Sequence, residues 1–576
     1  MIPNVVRKAK RFVNGLLAPE SNSALPNIAG EELFGVNVAA DGNVDERPIL
    51  GLEFDLLVAE IEQGAKPDAQ ALLPFLCEEL LENRIEVNFR LAQACFKSFN
   101  LADAKTFIDR TWRLCGGRPL FLPLLLQIYS KTGNVDGIRS AYKTLGMKAA
   151  DAGNIEGAIG YFDLWHYAAM TYLREDRYEL DGDILAALER LAAPHRSAPS
   201  PKRNKSGKIR VGYLLRGVIE LNSVLLKISH VLIGLHDKEQ FEIVAIVPET
   251  AEQIERSPQG KDHLERLKAS GCEVLCSNFA DMPQGQVAQS LLGLTRQIEA
   301  ANLDILVTSA CLVDFATCFL TALKPAPKIV GLIQGPPGQF AHPALDWSIA
   351  WSRHPLMDSP CNSTLVELKM TGKSPEVAEP VTKQELQVPD GARVLMSSGR
   401  FAKFKDRQQW RAIGEILQDH VDLYFVVVGA LAEQIADFDS MVPSAVRERV
   451  KFLGWRTDFS RLVTMADVLL DTYPSGGGQV IVEAMAQGVP VVAHRNDFLK
   501  EFSQTSWSPV EDFVTDSNLL VKRGDFEALK KTIHELLNDD AAWQRASSSC
   551  KQSMAGANPL EGLRQCEEVY KMVAGR

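Results

Sequence analysis

Apolar positions at the start of the chain repeat at helical spacing. Ile2, Val5, Val6, Ala9, Phe12, Val13, Leu16 and Leu17 alternate with the cations Arg7, Lys8, Lys10 and Arg11. This pattern predicts a basic amphipathic helix over 1–17. Periodicity fades over 18–48, which reads as a loop or tether. From 49 to 192 the spacing is helical throughout. Leu52, Leu56, Leu57 and Ile61 share one face, and Leu72, Leu73, Leu76, Leu80 and Leu81 another. A short motif recurs in this stretch. Phe99-Asn100-Leu101-Ala102-Asp103-Ala104 returns 34 residues later as Gly133-Asn134-Val135-Asp136-Gly137-Ile138, and after 20 more as Gly153-Asn154-Ile155-Glu156-Gly157-Ala158.

Residues 193–207 are rich in Pro, Ser, Lys and Arg and read as a linker. Beyond them the period changes. Apolar strand runs at 209–215, 241–247, 272–276, 304–308 and 329–333 are separated by helical segments near 222–235 and 284–302. The alternation restarts near Arg393. Strands are predicted at 394–398, 423–429, 450–453, 468–471 and 489–493, and helices at 408–418, 477–487 and 526–538. Strands alternating with helices predict parallel sheets covered on both faces. The expected fold is therefore α/β, with two doubly wound domains over 208–388 and 389–576 behind an all-α domain over 49–192. Ligands in such sheets bind at the carboxyl ends of the strands.

Composition narrows the function classes. The chain has 576 residues, enough for several cores, and acidic residues outnumber basic ones by 73 to 62, a net charge of −11. That balance argues against general nucleic-acid binding. The 10 cysteines form no CxxC pair and read as thiols in a reducing compartment. No run of 18 uncharged apolar residues occurs, so no transmembrane helix is expected. The basic helix at 1–17 has two readings: a contact with anionic lipid at the inner membrane surface, or a helix docked on the protein itself.

Two segments carry the candidate chemistry. The first runs from Tyr473-Pro474 through Ser475, Gly476, Gly477, Gly478 and Gln479 to Glu483, then Gly488-Val489-Pro490. It reads as strand, glycine turn and helix. Backbone N–H groups at a helix start suit a phosphate, and Glu483 can accept hydrogen bonds from ribose or sugar hydroxyls. The second, Ser398-Gly399-Arg400-Phe401-Ala402-Lys403-Phe404-Lys405, follows the first strand of the second half. There Arg400 and Lys405 are placed to neutralise a diphosphate. His342 is a candidate for orienting the leaving phosphate or acting on an acceptor hydroxyl, or it is a packed loop histidine. His494 and Arg495, at the end of a strand, could meet an acidic sugar or phosphate, with Lys500 nearby. Asp437-Phe438-Asp439 has a metal-binding spacing but reads as a solvated face.

These segments resemble the donor half of GT-B glycosyltransferases, family 4 in particular. Arg400 and Lys405 match that family's Arg-x4-Lys, and Glu483 matches the second Glu of its E-x7-E motif; the first Glu falls at Ser475. The resemblance implies a UDP-sugar donor, retaining chemistry, no cofactor and no metal ion. The stretches 208–215, 237–247, 330–338 and 346–347 are similar to the acceptor half of O-GlcNAc-transferase-like enzymes. The 34-residue interval resembles tetratricopeptide repeats, which implies a protein partner; a purely structural helical cap is the other reading. The whole layout resembles bacterial capsule-polymerising glycosyltransferases. That implies a growing polysaccharide or glycolipid acceptor at the cytoplasmic face of the inner membrane. A protein O-glycosyltransferase and a non-catalytic GT-B scaffold are the alternatives.

Overall fold

A computed structural model describes residues 52–77, 80–173, 181–197, 207–215, 224–277, 287–308, 315–333, 342–350, 362–366 and 381–576, except 436, 457, 496–508 and 557. The helix expected at 1–17, the tether at 18–48, most of the linker, and Lys500 lie outside the described residues.

The described helices from Leu52 to Leu173 form one compact unit. Helix Leu81–Lys97 packs on Leu101–Leu114, and Val135–Asp151 on Ile155–Leu173, as antiparallel-type hairpins with short joints. The repeated sequence motif is that joint. Phe99, Gly133 and Gly153 take φ of 58°, 68° and 72°, the left-handed conformation that ends a helix. The next residue closes the old helix and starts the new one. The N–H groups of Asn100, Asn134 and Asn154 donate to Cys95, Tyr129 and Ala149 carbonyls, each at 2.8 Å. Their side chains then accept from Asp103, Gly137 and Gly157 N–H groups at 3.4, 3.2 and 2.9 Å.

The remaining residues form a second unit, which holds both sheets and also helix Gly182–Ala192. The first sheet comprises β1 (Ile209–Leu214), β2 (Phe241–Thr250), β3 (Glu273–Ser277), β4 (Ile305–Thr308), β5 (Lys328–Ile333), β6 (Trp347–Ala350) and β7 (Ser363–Leu365). Its order is β3-β2-β1-β4-β5-β6-β7, with every pair parallel. The second sheet comprises β8 (Arg393–Ser398), β9 (Leu423–Val428), β10 (Val450–Gly454), β11 (Val468–Leu470), β12 (Val491–His494) and β13 (Leu520–Val521), in the order β10-β9-β8-β11-β12-β13. It too is wholly parallel. Strands predicted from apolar runs fall within two residues of those observed, except that β2 runs three residues further than predicted, to Thr250. The short strands β6, β7 and β13 were not predicted.

Apolar residues of β1, β2, β4 and β5 make one face of the first core, with Val211, Ala245, Val307 and Val330 fully buried. The last helix, Pro559–Ala574, returns to this core and contributes Leu563, Cys566, Val569 and Tyr570. The chain thus leaves the second sheet to finish on the first. No helix among the described residues is long and apolar enough to cross a membrane.

Candidate donor site at the second sheet

In both sheets the chain builds outward from one central strand and then returns to that strand's other side. The strand order reverses between β8 and β11 in the second sheet. Loops leaving the carboxyl ends of two such neighbours diverge and open a crevice, the usual ligand site of an open α/β sheet. The two segments singled out by sequence leave those two strands. Residues 399–405 follow β8, and residues 471–478 follow β11.

The β8 loop is a single tight turn. Arg400 precedes a one-turn helix at Phe401–Phe404, and Lys405 ends it; both are half-buried. Phe401, Ala402 and Phe404 are buried beneath, which anchors the turn and leaves the charged positions at its ends. The Trp410 indole donates to the Phe404 carbonyl at 2.7 Å. The neighbouring strand closes on this loop so tightly that Gly429 (φ 98°) has no room for a side chain. A Cβ there would lie 2.6 Å from the Gly399 carbonyl oxygen.

The β11 turn is held from several directions. One carboxylate oxygen of buried Asp471 accepts from the Thr472 N–H at 2.9 Å and the Gly477 N–H at 2.7 Å. The Thr472 hydroxyl donates to the Ser475 carbonyl at 2.7 Å. Lys403 donates to the Gly476 carbonyl, which joins the two loops directly. The Gln409 amide donates to the Asp471 carbonyl at 2.9 Å, tying helix Arg407–Asp419 to the same point. Gly478 then caps helix Gln479–Ala486, whose half-buried Glu483 accepts from the Gln479 amide at 3.3 Å. Arg400, Lys405, Ser475, Gly476, Gly477, Gly478, Gln479 and Glu483 therefore lie on two loops and one helix at the carboxyl ends of the neighbouring strands β8 and β11.

Three other candidates have different settings. His342 is fully buried. Its Nε2–H donates to the Cys318 carbonyl at 3.0 Å and its Nδ1 accepts from the Ala344 N–H at 3.1 Å. Burial lowers its pKa to about 4. Both ring nitrogens are committed, so His342 is a packed structural histidine and not an acid or base facing an acceptor. His494 is also buried, between the rings of Tyr473 and Phe526 at 4.6 and 5.1 Å. Its Nδ1–H donates to the Lys522 carbonyl at 3.2 Å, and burial holds its pKa below the ordinary value. Exposed Arg495 lies along β13, its guanidinium 3.4 Å from the carbonyls of Leu520 and Ser517. Asp437 and Asp439 are exposed and pair with Arg407 and Arg447, at 2.5 and 3.3 Å.

Sequence reasoning missed Lys403, Asp471 and Arg523. Asp471 carried a readable signal, since an Asp at a strand end preceding a turn often accepts turn N–H groups. Arg523 carried none. It lies beyond β12 and β13, yet donates to the Pro474 carbonyl at 3.0 Å and sits 5.0 Å from the centre of the Tyr473 ring.

Two tandem Rossmann-like parallel sheets define the GT-B fold, here preceded by a helical region. Residues 392–539 match the family described as Glycosyl transferases group 1. Two lipopolysaccharide core biosynthesis glycosyltransferases of Rhizobium meliloti (strain 1021) are similar in sequence. LpsE is 26% identical over 184 residues, 32% of this chain and 51% of LpsE. LpsD is 28% identical over 179 residues, 31% of this chain and 48% of LpsD. The chain spans about half the length of these curated relatives. Among solved structures, a mutant of the Thermobaculum terrenum O-GlcNAc transferase superimposes with a TM-score of 0.53 at 17% identity, over 85% of this chain and 97% of that one. This likeness is one of fold.

Proposed function

We propose that the chain is a nucleotide-sugar-dependent glycosyltransferase whose donor diphosphate lies in the β8/β11 crevice. The observation that carries this reading is the meeting of two segments some 70 residues apart, joined by the bond from Lys403 to the Gly476 carbonyl. One segment brings cations and the other brings a glycine turn opening a helix. Arg400 and Lys405 neutralise the diphosphate, and the N–H groups of the turn and the helix start add to that field. Glu483 receives ribose hydroxyls. Stabilising the departing diphosphate supplies most of the rate enhancement, and the chemistry needs no metal ion or cofactor. The donor is a UDP-sugar.

The acceptor is a bacterial cell-surface glycan, a reading supported by the lipopolysaccharide-core activity of the relatives. The helical unit from Leu52 to Leu173, with its tetratricopeptide-like joints, serves as a docking platform for a partner, and residues 1–17 hold the enzyme at the inner membrane surface. A narrower reading is polymerisation of an acidic capsular polysaccharide of the Vi-antigen type from UDP-N-acetylgalactosaminuronic acid. It rests on the sequence layout. Buried His494, its pKa held below the ordinary value, gives that acidic donor no added support.

The test is UDP release by purified protein across a panel of UDP-sugars, with oligosaccharide acceptors and mass detection of products. Turnover with a neutral UDP-sugar is expected. Lys405→Ala and Glu483→Ala should each lower kcat/KM by about 100-fold or more. Ladder products from the uronic-acid donor alone would instead establish the capsule-polymer reading. A sugar on a polypeptide would establish a protein O-glycosyltransferase. Folded protein that binds no nucleotide would make the chain a GT-B scaffold.

A further inference from the structure

Three consecutive carbonyls of the glycine turn are held by donors from three parts of the chain. The Pro474 carbonyl receives Arg523, the Ser475 carbonyl receives the Thr472 hydroxyl, and the Gly476 carbonyl receives Lys403. In a trans peptide the carbonyl of one residue and the N–H of the next point in opposite directions. Holding the Pro474 and Ser475 carbonyls therefore turns the N–H groups of Ser475 and Gly476 away from their anchors. The next amide in line, that of Gly477, is taken up by Asp471.

We infer that Arg523 and Lys403 are positioning residues: Arg523 fixes the Pro474–Ser475 plane, and Lys403, with Asp471 on the Gly477 N–H, fixes the Gly476–Gly477 plane, so that the Ser475 and Gly476 amides between these two anchors stay aligned for the donor's phosphate. The inference rests on the donor-site reading above. The argument is electrostatic. The Gly476–Gly477 plane held by Lys403 lies between two glycines and would otherwise rotate readily, because glycine imposes little steric preference. A cation on its carbonyl favours one orientation strongly, since hydrogen bonds with an ionised donor are about twice as strong as neutral ones. Arg523 is itself braced. Its guanidinium lies over the Tyr473 ring, and that ring is packed edge-on by Phe526 at 5.4 Å and against His494 at 4.6 Å. The segment after β13 thereby grips the turn after β11 from the side opposite Lys403's loop. Neither residue need touch the substrate.

The experiment pairs two readouts on the full chain. Calorimetry measures UDP binding, and amide hydrogen exchange is followed in peptides covering 472–479. Arg523→Met and Lys403→Met should each weaken UDP binding about tenfold and speed exchange within 472–479, with exchange in β1 and β8 unchanged. Arg523→Lys and Lys403→Arg, which keep a cationic donor, should recover most of the affinity. Exchange and affinity both within twofold of wild type in the methionine variants would overturn the inference. So would faster exchange with unchanged UDP affinity, since the turn's alignment would then be irrelevant to the donor. Faster exchange in a protein whose wild type binds no UDP would uphold the clamp and reject the donor reading instead.

Discussion

Burial decides the protonation of His342, and the consequence is measurable. Its ordinary pKa is 6.5, and in the folded chain it falls to about 4, chiefly because the ring is withdrawn from water. The unfolded chain therefore binds the proton more readily. The stability associated with the neutral ring is complete above pH 6.5 and is lost as pH falls towards 4. Urea unfolding at pH 7 and at pH 4.5 should show this residue contributing on the order of 2–3 kcal/mol to the difference. His342→Gln should shrink that difference by a similar amount, whatever its cost at pH 7. An unchanged difference would mean that His342 is solvated. His230 is expected to add to the same acid loss, since burial and the facing His263 ring lower it to about 4 as well. From sequence alone, His342 was equally legible as a site residue and as packing. Spacing gives residue type and rough position; it does not give whether both ring nitrogens are already taken. The same limit applied to His494 and Arg495. Arg400, Lys405 and Glu483 were legible because their positions relative to strand ends and a glycine turn carry the geometry with them.

At the scale of elements, the helical joints show how a local motif was visible before its meaning was. The motif that recurs three times in the sequence is, in the structure, a left-handed residue followed by an asparagine cap. Its first copy breaks the pattern. Phe99 holds φ 58° with its side chain 88% exposed, so it bears the strain of that conformation without packing in return. Phe99→Gly should stabilise the helical unit by about 0.5–1 kcal/mol, while Gly133→Ala should destabilise it by about 1 kcal/mol. Asn134→Ala should cost about 1 kcal/mol through the lost cap. Thermal unfolding of the three variants checks the set, and a destabilised Phe99→Gly would contradict the strain argument. Elements that sequence reasoning missed have a physical reason in common. β6, β7 and β13 are four, three and two residues long. Such strands are fixed by the sheet edge they join and not by their own periodicity. Helix Asp540–Ala555 carries Ser547-Ser548-Ser549, weak helix formers that dilute its pattern.

The whole molecule depends on a contact that no local pattern announces. Helix Pro559–Ala574 crosses from the second sheet to pack on the first, and a buried polar chain fastens it there. Glu567 accepts from His236 Nδ1 at 2.8 Å and from the Asp237 N–H at 2.9 Å. His236 Nε2 lies 2.8 Å from the Tyr213 hydroxyl, which lies 3.0 Å from that of Tyr570. All four side chains are buried, and burial pushes both phenols well above their ordinary pKa. Apolar contacts from Leu563 and Val569 would hold the helix without choosing its register. The polar chain does choose it, because only one rotation and one height place Glu567 over His236 and Tyr570 over Tyr213 together. Removing one partner is costly, since the others stay buried without it. Glu567→Ala should destabilise the chain by about 2–4 kcal/mol, since the buried His236 Nδ1–H and the Asp237 N–H both lose their acceptor. Glu567→Gln, which keeps an acceptor oxygen, should cost less. Hydrogen exchange should show the loss first in 559–574 and in β1, the strand beneath it, before the second sheet responds. Uniform loosening of both sheets would mean that the helix is not separately fastened. A Glu567→Ala variant within about 1 kcal/mol of wild type would mean that apolar packing alone sets its register.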